Sequence, residues 1–186
     1  MSGRRFGSIL MSILLVLLCL RQSSLAQAHK PSREDVQSVY LFDFAHFVRW
    51  PAANGSAFQI CIAGRGIDPD TLRRVIASEK VDGRPVVARI VNRPSEIKDC
   101  EILFIGQGTE EGTKSLLDAS AGKAILTVSD IPDFLRNGGM IQFVLTDNRV
   151  RFSIDLASVN RNSLSVSSEL LKVAASVSGP LDGGSR

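Results

Sequence analysis

The chain has 186 residues, 44% of them hydrophobic, with 22 Lys and Arg against 19 Asp and Glu. No run of Lys or Arg occurs, which excludes the electrostatic footprint of a nucleic-acid binder. The length fits one domain with a sizeable core.

The chain opens with an export signature. Arg4 and Arg5 precede an apolar run from Ile9 to Leu20, and a polar stretch then ends in Ser24-Leu25-Ala26. A charged start, a short apolar middle and small residues flanking Leu25 define a secretory signal peptide over residues 1–26. The apolar run is about 12 residues, short of the roughly 18–20 that cross a bilayer as a helix. Phe-Gly-Ser after the arginine pair argues against a twin-arginine signal. Leu17 and Leu18 ahead of Cys19 argue against a lipoprotein cut, so Cys19 leaves with the leader. Arg4, Arg5 and Arg21 leave too, which brings Lys and Arg from 22 to the same 19 as the acids. The mature protein is therefore near neutral, and the pI of 9.0 belongs to the precursor.

From Ser32 a helix is predicted. Asp35 sits three residues on as a shortened capping box, and Glu34 suits the helix N-terminus. Val36, Val39, Tyr40, Phe44 and Phe47 give it a buried face, and Pro51 ends it. A strand over 57–63, a helix over 68–80 with Leu72, Val75 and Ile76 inward, and a strand over 85–91 follow. Residues 101–105 and 124–128 read as strands buried on both faces, with a helix over 109–119 between them and a short helix over 131–136 after them. Two strands, 140–145 and 150–154, flank Thr146-Asp147-Asn148-Arg149, a hairpin whose central residues tolerate positive φ. Val150, Phe152 and Ile154 alternate with Arg151 and Ser153, so one face is expected to be wet. Residues 156–175 read as largely helical and 178–186 as a flexible tail. The whole predicts one α/β domain over 27–177, a sandwich with a mixed sheet and a closing β-hairpin.

Two cysteines remain in the mature chain, Cys61 and Cys100, each in a strand-like run. An even number in an exported chain favours a disulfide, with two buried reduced thiols as the alternative. Closing a loop of about 39 residues stabilises by roughly 4 kcal/mol in the chain-entropy account. The spacing is far from CxxC, and no Cys/His tetrad is left for zinc.

Signatures of catalysis are sparse. Gly106-Gln107-Gly108-Thr109-Glu110-Glu111-Gly112 has the look of a phosphate-cradling loop but the spacing GxGxxxG, and its two acids oppose phosphate, so a plain strand-to-helix turn is the better reading. Gly122-Lys123-Ala124 is no P-loop, and GxSxG is absent. His46, with Asp43 three residues earlier, would need a serine brought to it by the fold to make a hydrolase. Asp130 and Asp133 read as capping residues rather than an acid/base pair. No catalytic residue, cofactor or metal ligand is assigned. The candidate contact residues are Arg49 and Trp50, a cation and the sole tryptophan at a helix end, since both types are enriched at binding surfaces. Trp50 has a competing role, closing the core under the first helix. Ser165 and Ser167 are candidates to line a groove, the alternative being helix capping by Ser167 or Ser168.

The order of motifs resembles the YfiR family of periplasmic proteins. Phe44-Ala45-His46-Phe47-Val48-Arg49-Trp50-Pro51 is similar to its signature, and the runs around Cys61 and Cys100 to its two cysteine strands. Leu126-Thr127-Val128-Ser129-Asp130, Gly138-Gly139-Met140-Ile141 with Asn148–Phe152, and Leu164–Leu171 follow in the family's order. The resemblance covers residues 38–175. It implies a non-enzymatic α/β sandwich, often dimeric, with a Cys61–Cys100 disulfide. It implies a periplasmic repressor that binds the outer domain of an inner-membrane diguanylate cyclase, or of a related sensor, and so lowers cyclic di-GMP and biofilm formation. A second cysteine pair found in some relatives is missing here. Arg149 and Arg151 on the hairpin join Arg49 and Trp50 as expected contacts. The alternative is a periplasmic module that binds a small ligand and has no cyclase partner.

Overall fold

The computed structural model describes residues 31–51, 55–109 and 111–180. The leader 1–26, Glu110 and residues 181–186 lie outside that set. Helix α1, Arg33–Phe47, begins as its sequence dictates: the Ser32 N–H donates to Asp35 Oδ2 at 2.7 Å and the Asp35 N–H to Ser32 Oγ at 3.1 Å. It stops before Pro51, because Val48–Arg49 extends into strand β1 and pairs elsewhere. Its buried face also differs from the apolar stripe. Gln37, Ser38, Leu41, Phe44 and Ala45 are buried, while Val39 and Phe47 are exposed at 45% and 38%. Apolar residues lie all around this helix, so spacing alone does not choose the inner side.

The remaining elements follow in order. They are β2 (Phe58–Ala63), α2 (Pro69–Val75), β3 (Lys80–Val81), β4 (Arg84–Ile90), a 3₁₀ turn (Pro94–Glu96), β5 (Ile102–Ile105), α3 (Gly112–Ser120) and β6 (Leu126–Ser129). Then come β7 (Ile141–Thr146), β8 (Arg149–Asp155), α4 (Leu156–Arg161), β9 (Ser165–Val166), α5 (Ser168–Val173) and β10 (Ser176–Ser178). Eight strands form one mixed sheet in the order β10-β8-β7-β6-β5-β2-β4-β3, and β1 pairs with β9 in a separate ribbon. Parallel pairing runs from β7 through β4, and the antiparallel β7–β8 hairpin closes that side. Asp147 and Asn148 at its tip take φ of 50° and 57°, the paired left-handed conformation a two-residue hairpin turn needs.

Helices cover both faces, as the α/β sandwich reading requires. One core holds Leu41 and Phe44 of α1, Leu72 of α2, Val159 of α4 and Leu170 of α5 against Ile60, Phe104, Phe143 and Phe152 of the sheet. The other holds Leu116 of α3, with Ile97 and Phe134, against Cys61, Leu103 and Ile105. Strands β5 and β6 are buried along their whole length, which is why they read as continuous apolar runs.

Several local expectations are corrected, among them the helix over 68–80, which ends at Val75 because Lys80–Val81 forms β3. Residues 131–136 form turns, with Asp133 at φ 58°, not a helix. The stretch 156–175 is two short helices separated by β9, because Ser163 turns at φ 58° and residues 165–166 are taken by β1. Residue 178 belongs to strand β10, which pairs in parallel with β8. That pairing buries Ser153, whose Oγ accepts a hydrogen bond from Ser176 Oγ at 2.8 Å, so the face of β8 expected to be wet is covered at Ser153 and open only toward Arg149.

Candidate functional site

The sole tryptophan anchors the amino-terminal edge of the sheet. Trp50 Nε1–H donates to the Glu101 carbonyl at 3.2 Å, and its ring stands at 90° to Phe58 with centroids 5.1 Å apart. The Arg84 guanidinium lies 5.4 Å from the Phe58 ring centre and 2.7 Å from Glu101 Oε1. Glu101 is fully buried, and its second carboxylate oxygen accepts the Gln59 N–H at 2.7 Å. Trp50 is thus committed to sealing a buried ion pair, the core-closing role among the two its sequence position allowed.

Arg49 is exposed on β1, and the register sets it opposite Ser165 of β9, with Val48 opposite Val166. Two motifs more than a hundred residues apart in sequence therefore meet. Ser167 follows directly. Its N–H donates to the Phe47 carbonyl at 2.8 Å, and its Oγ accepts the Leu170 N–H at 3.3 Å as the N-cap of α5. Arg151 stands at the other end of that helix, with Nη2 donating to the Val173 carbonyl at 3.1 Å, a favourable contact for a cation at a helix C-terminus. Arg149 is exposed beside the hairpin tip. The six residues of α5 thus link Arg49 and Ser165 at one end to Arg151 at the other, about 9 Å along the axis. Phe47 and Val173, 38% and 55% exposed, add apolar surface near the two ends.

Cys61 on β2 and Cys100 ahead of β5 form a disulfide with Cα atoms 5.9 Å apart. Both are fully buried in the core under α3. Arg89 Nη2 approaches Cys100 Sγ at 3.8 Å and donates to the Glu96 carbonyl at 2.5 Å, which sequence reasoning did not single out.

His46 does not gather a catalytic set. It is exposed and stands edge-on to Phe42, with ring centroids 4.8 Å apart. Burial raises the pKa of Asp43, and the neighbouring imidazole offsets that in part. Among the described residues no hydrogen bond joins His46 to a serine, and no group of His, Cys, Asp and Glu could hold a metal ion. Asp130 faces Arg33 at 3.7 Å, and Asp133 pairs with Arg136 at 3.1 Å, so each acid has its own cation. Gly106 serves backbone approach, since a Cβ there would overlap the Arg65 carbonyl.

Fold and surface together define a disulfide-closed α/β domain whose candidate contacts lie on an exposed ribbon and helix. A family profile described as YfiR/HmsC-like matches residues 34–175, and the chain belongs to this family. Among solved structures, a conserved domain protein from Vibrio cholerae O1 biovar El Tor is matched at 8% identity and a TM-score of 0.48. That match covers 77% of this chain and 60% of the other, so the chain spans less than two thirds of that protein's length.

Proposed function

We propose that this protein is exported to the periplasm, binds the outer domain of an inner-membrane diguanylate cyclase and holds the cyclase inactive. Membership of the YfiR/HmsC-like family across residues 34–175 carries the reading. The Cys61–Cys100 disulfide supports it, since such bonds persist in oxidising compartments outside the cytosol, and so does the export signature of residues 1–26. The contacts we assign are Arg49, Ser165 and Arg151 along α5, with Arg149 at the hairpin; Ser167 caps α5, and Trp50 follows Arg49 at the end of β1. The protein acts by population shift: binding one arrangement of the cyclase better than the other draws the equilibrium toward it. Release, by a ligand or a competing protein that prefers the free repressor, restores cyclase output. No catalytic step is needed, and a second copy of the chain is the expected homodimer partner.

Deletion of the gene tests this. Cellular cyclic di-GMP and biofilm mass should rise, and Arg49→Glu with Arg151→Glu should reproduce the rise while the protein stays folded and exported. Unchanged cyclic di-GMP, with the candidate cyclases expressed, contradicts the proposal.

A further inference from the structure

The sheet changes its direction of winding between β2 and β5. From β2 the chain crosses by α2 to β4 on one side, then returns to lay β5 on the other. Helix α2 packs in one core and α3 in the opposite one, so the two connections diverge over opposite faces. In open parallel sheets the crevice beyond the carboxyl ends at such a point is where ligands bind. A cavity of about 190 Å3 opens here, lined by Gly64, Arg65, Ile90, Val91, Asn92 and the Gly108 turn.

The backbone around it is fixed. The Arg65 N–H donates to the Gln107 carbonyl at 2.9 Å, and the Gln107 N–H returns to the Arg65 carbonyl at 3.1 Å. Gly64, at φ 78°, allows this approach, because a Cβ there would lie 2.8 Å from two carbonyl oxygens. The Arg65 side chain then lies across Gly108, with Nη2 3.1 Å from where a Cβ at 108 would stand. Among the described residues Arg33, Arg73, Arg84, Arg93 and Arg136 each face a carboxylate, whereas no ion pair engages Arg65. Of the nearby acids, Glu96 is held by the Asn92 N–H at 2.9 Å and by Arg93 at 3.0 Å, Glu111 is exposed two residues beyond the lining Thr109, and Glu110 lies outside the described residues, so the acids of this loop favour a singly charged ligand over phosphate. Ile90 brings apolar surface that the core does not use, at 53% exposure.

The guanidinium fork of Arg65, exposed on a backbone that is pinned, matches a planar oxyanion. One such cation beside an apolar wall suits a singly charged ligand with a hydrocarbon part. A cavity of this size suits a ligand of few heavy atoms. We propose that this crevice binds a small aliphatic carboxylate, with its oxygens on Arg65 and Asn92 and its chain on Ile90 and Val91. The site stands apart from the cyclase-binding surface and does not depend on that reading.

Titrating butyrate into the isotope-labelled mature protein, while following backbone amides by NMR, tests it. Shifts confined to Gly64, Asn92, Gly108 and Thr109 should saturate with a Kd on the order of 1 mM, as expected for so few atoms. Butyramide, which lacks the charge, should leave them unmoved. Arg65→Gln should weaken butyrate at least tenfold with the rest of the spectrum intact, since the Arg65 side chain is exposed. Ile90→Ser should weaken it severalfold and leave acetate binding unchanged. No saturable response, an equal response in Arg65→Gln, or equal saturation by inorganic phosphate would each overturn the assignment.

Discussion

Glu101 shows what a single residue can demand of its neighbours. Its carboxylate is fully buried just ahead of β5 and takes Arg84 and the Gln59 N–H, while the Trp50 indole N–H donates to its backbone carbonyl. Removing one partner of a buried pair leaves an uncompensated charge, which costs about 3–5 kcal/mol. Arg84→Ala should therefore lower stability by that amount in urea unfolding followed by the fluorescence of Trp50, the only tryptophan. A loss below about 1 kcal/mol would mean that the pair behaves as a surface salt bridge. Asp43 supplies a pH-dependent counterpart. Burial raises its pKa in the folded state, so the folded protein binds this proton more readily than the unfolded chain. Ionised Asp43 thus costs stability at neutral pH, and the cost disappears as pH falls through the raised pKa. Asp43→Asn should raise the melting temperature at pH 7, with the gain shrinking in acid; a variant equally stabilised at both pH values would contradict the assignment. At this scale the sequence was partly legible. Ser32 and Asp35 declared their cap, and Asp147 and Asn148 their turn, because those roles depend on local backbone bonds. The partners of Trp50 were not legible, since Glu101 and Phe58 reach it only through strand pairing.

Elements built from local signals were foreseen, and those built from distant contacts were not. Strands β5 and β6 announce themselves as buried apolar runs flanked by turns. By contrast, Ser176–Ser178 is small and polar, yet forms a strand because β8 offers an open edge. The break between α4 and α5 likewise follows from β1 claiming residues 165–166. The exposure of Val39 and Phe47 arises because α1 is set against α2 and the sheet by packing, not by its own periodicity. The disulfide between β2 and the start of β5 constrains 39 residues of chain that contain α2, β3 and β4. Replacing both Cys61 and Cys100 with Ser should lower unfolding free energy by roughly 4 kcal/mol, and less if the unfolded chain retains structure. The wild type should lose the same amount in reductant, while the double variant should not respond. A wild-type midpoint indifferent to reductant would show that the bond contributes nothing.

For the whole molecule, the family motifs were legible because six short runs fall in a fixed order, even though each is weak alone. The candidate surface was legible only as separate residues. The register sets Arg49 opposite Ser165, and Arg151 reaches the Val173 carbonyl at the far end of α5, placements no spacing rule contains. The central claim is that this domain represses a cyclase from outside the inner membrane. Its most direct test is the cyclic di-GMP content of a deletion strain carrying either the full chain or a copy lacking residues 1–26, both produced to equal amounts. The account predicts that the exported chain returns cyclic di-GMP to the parental level and the leaderless copy leaves it high. Equal restoration by both copies, or by neither, would contradict it.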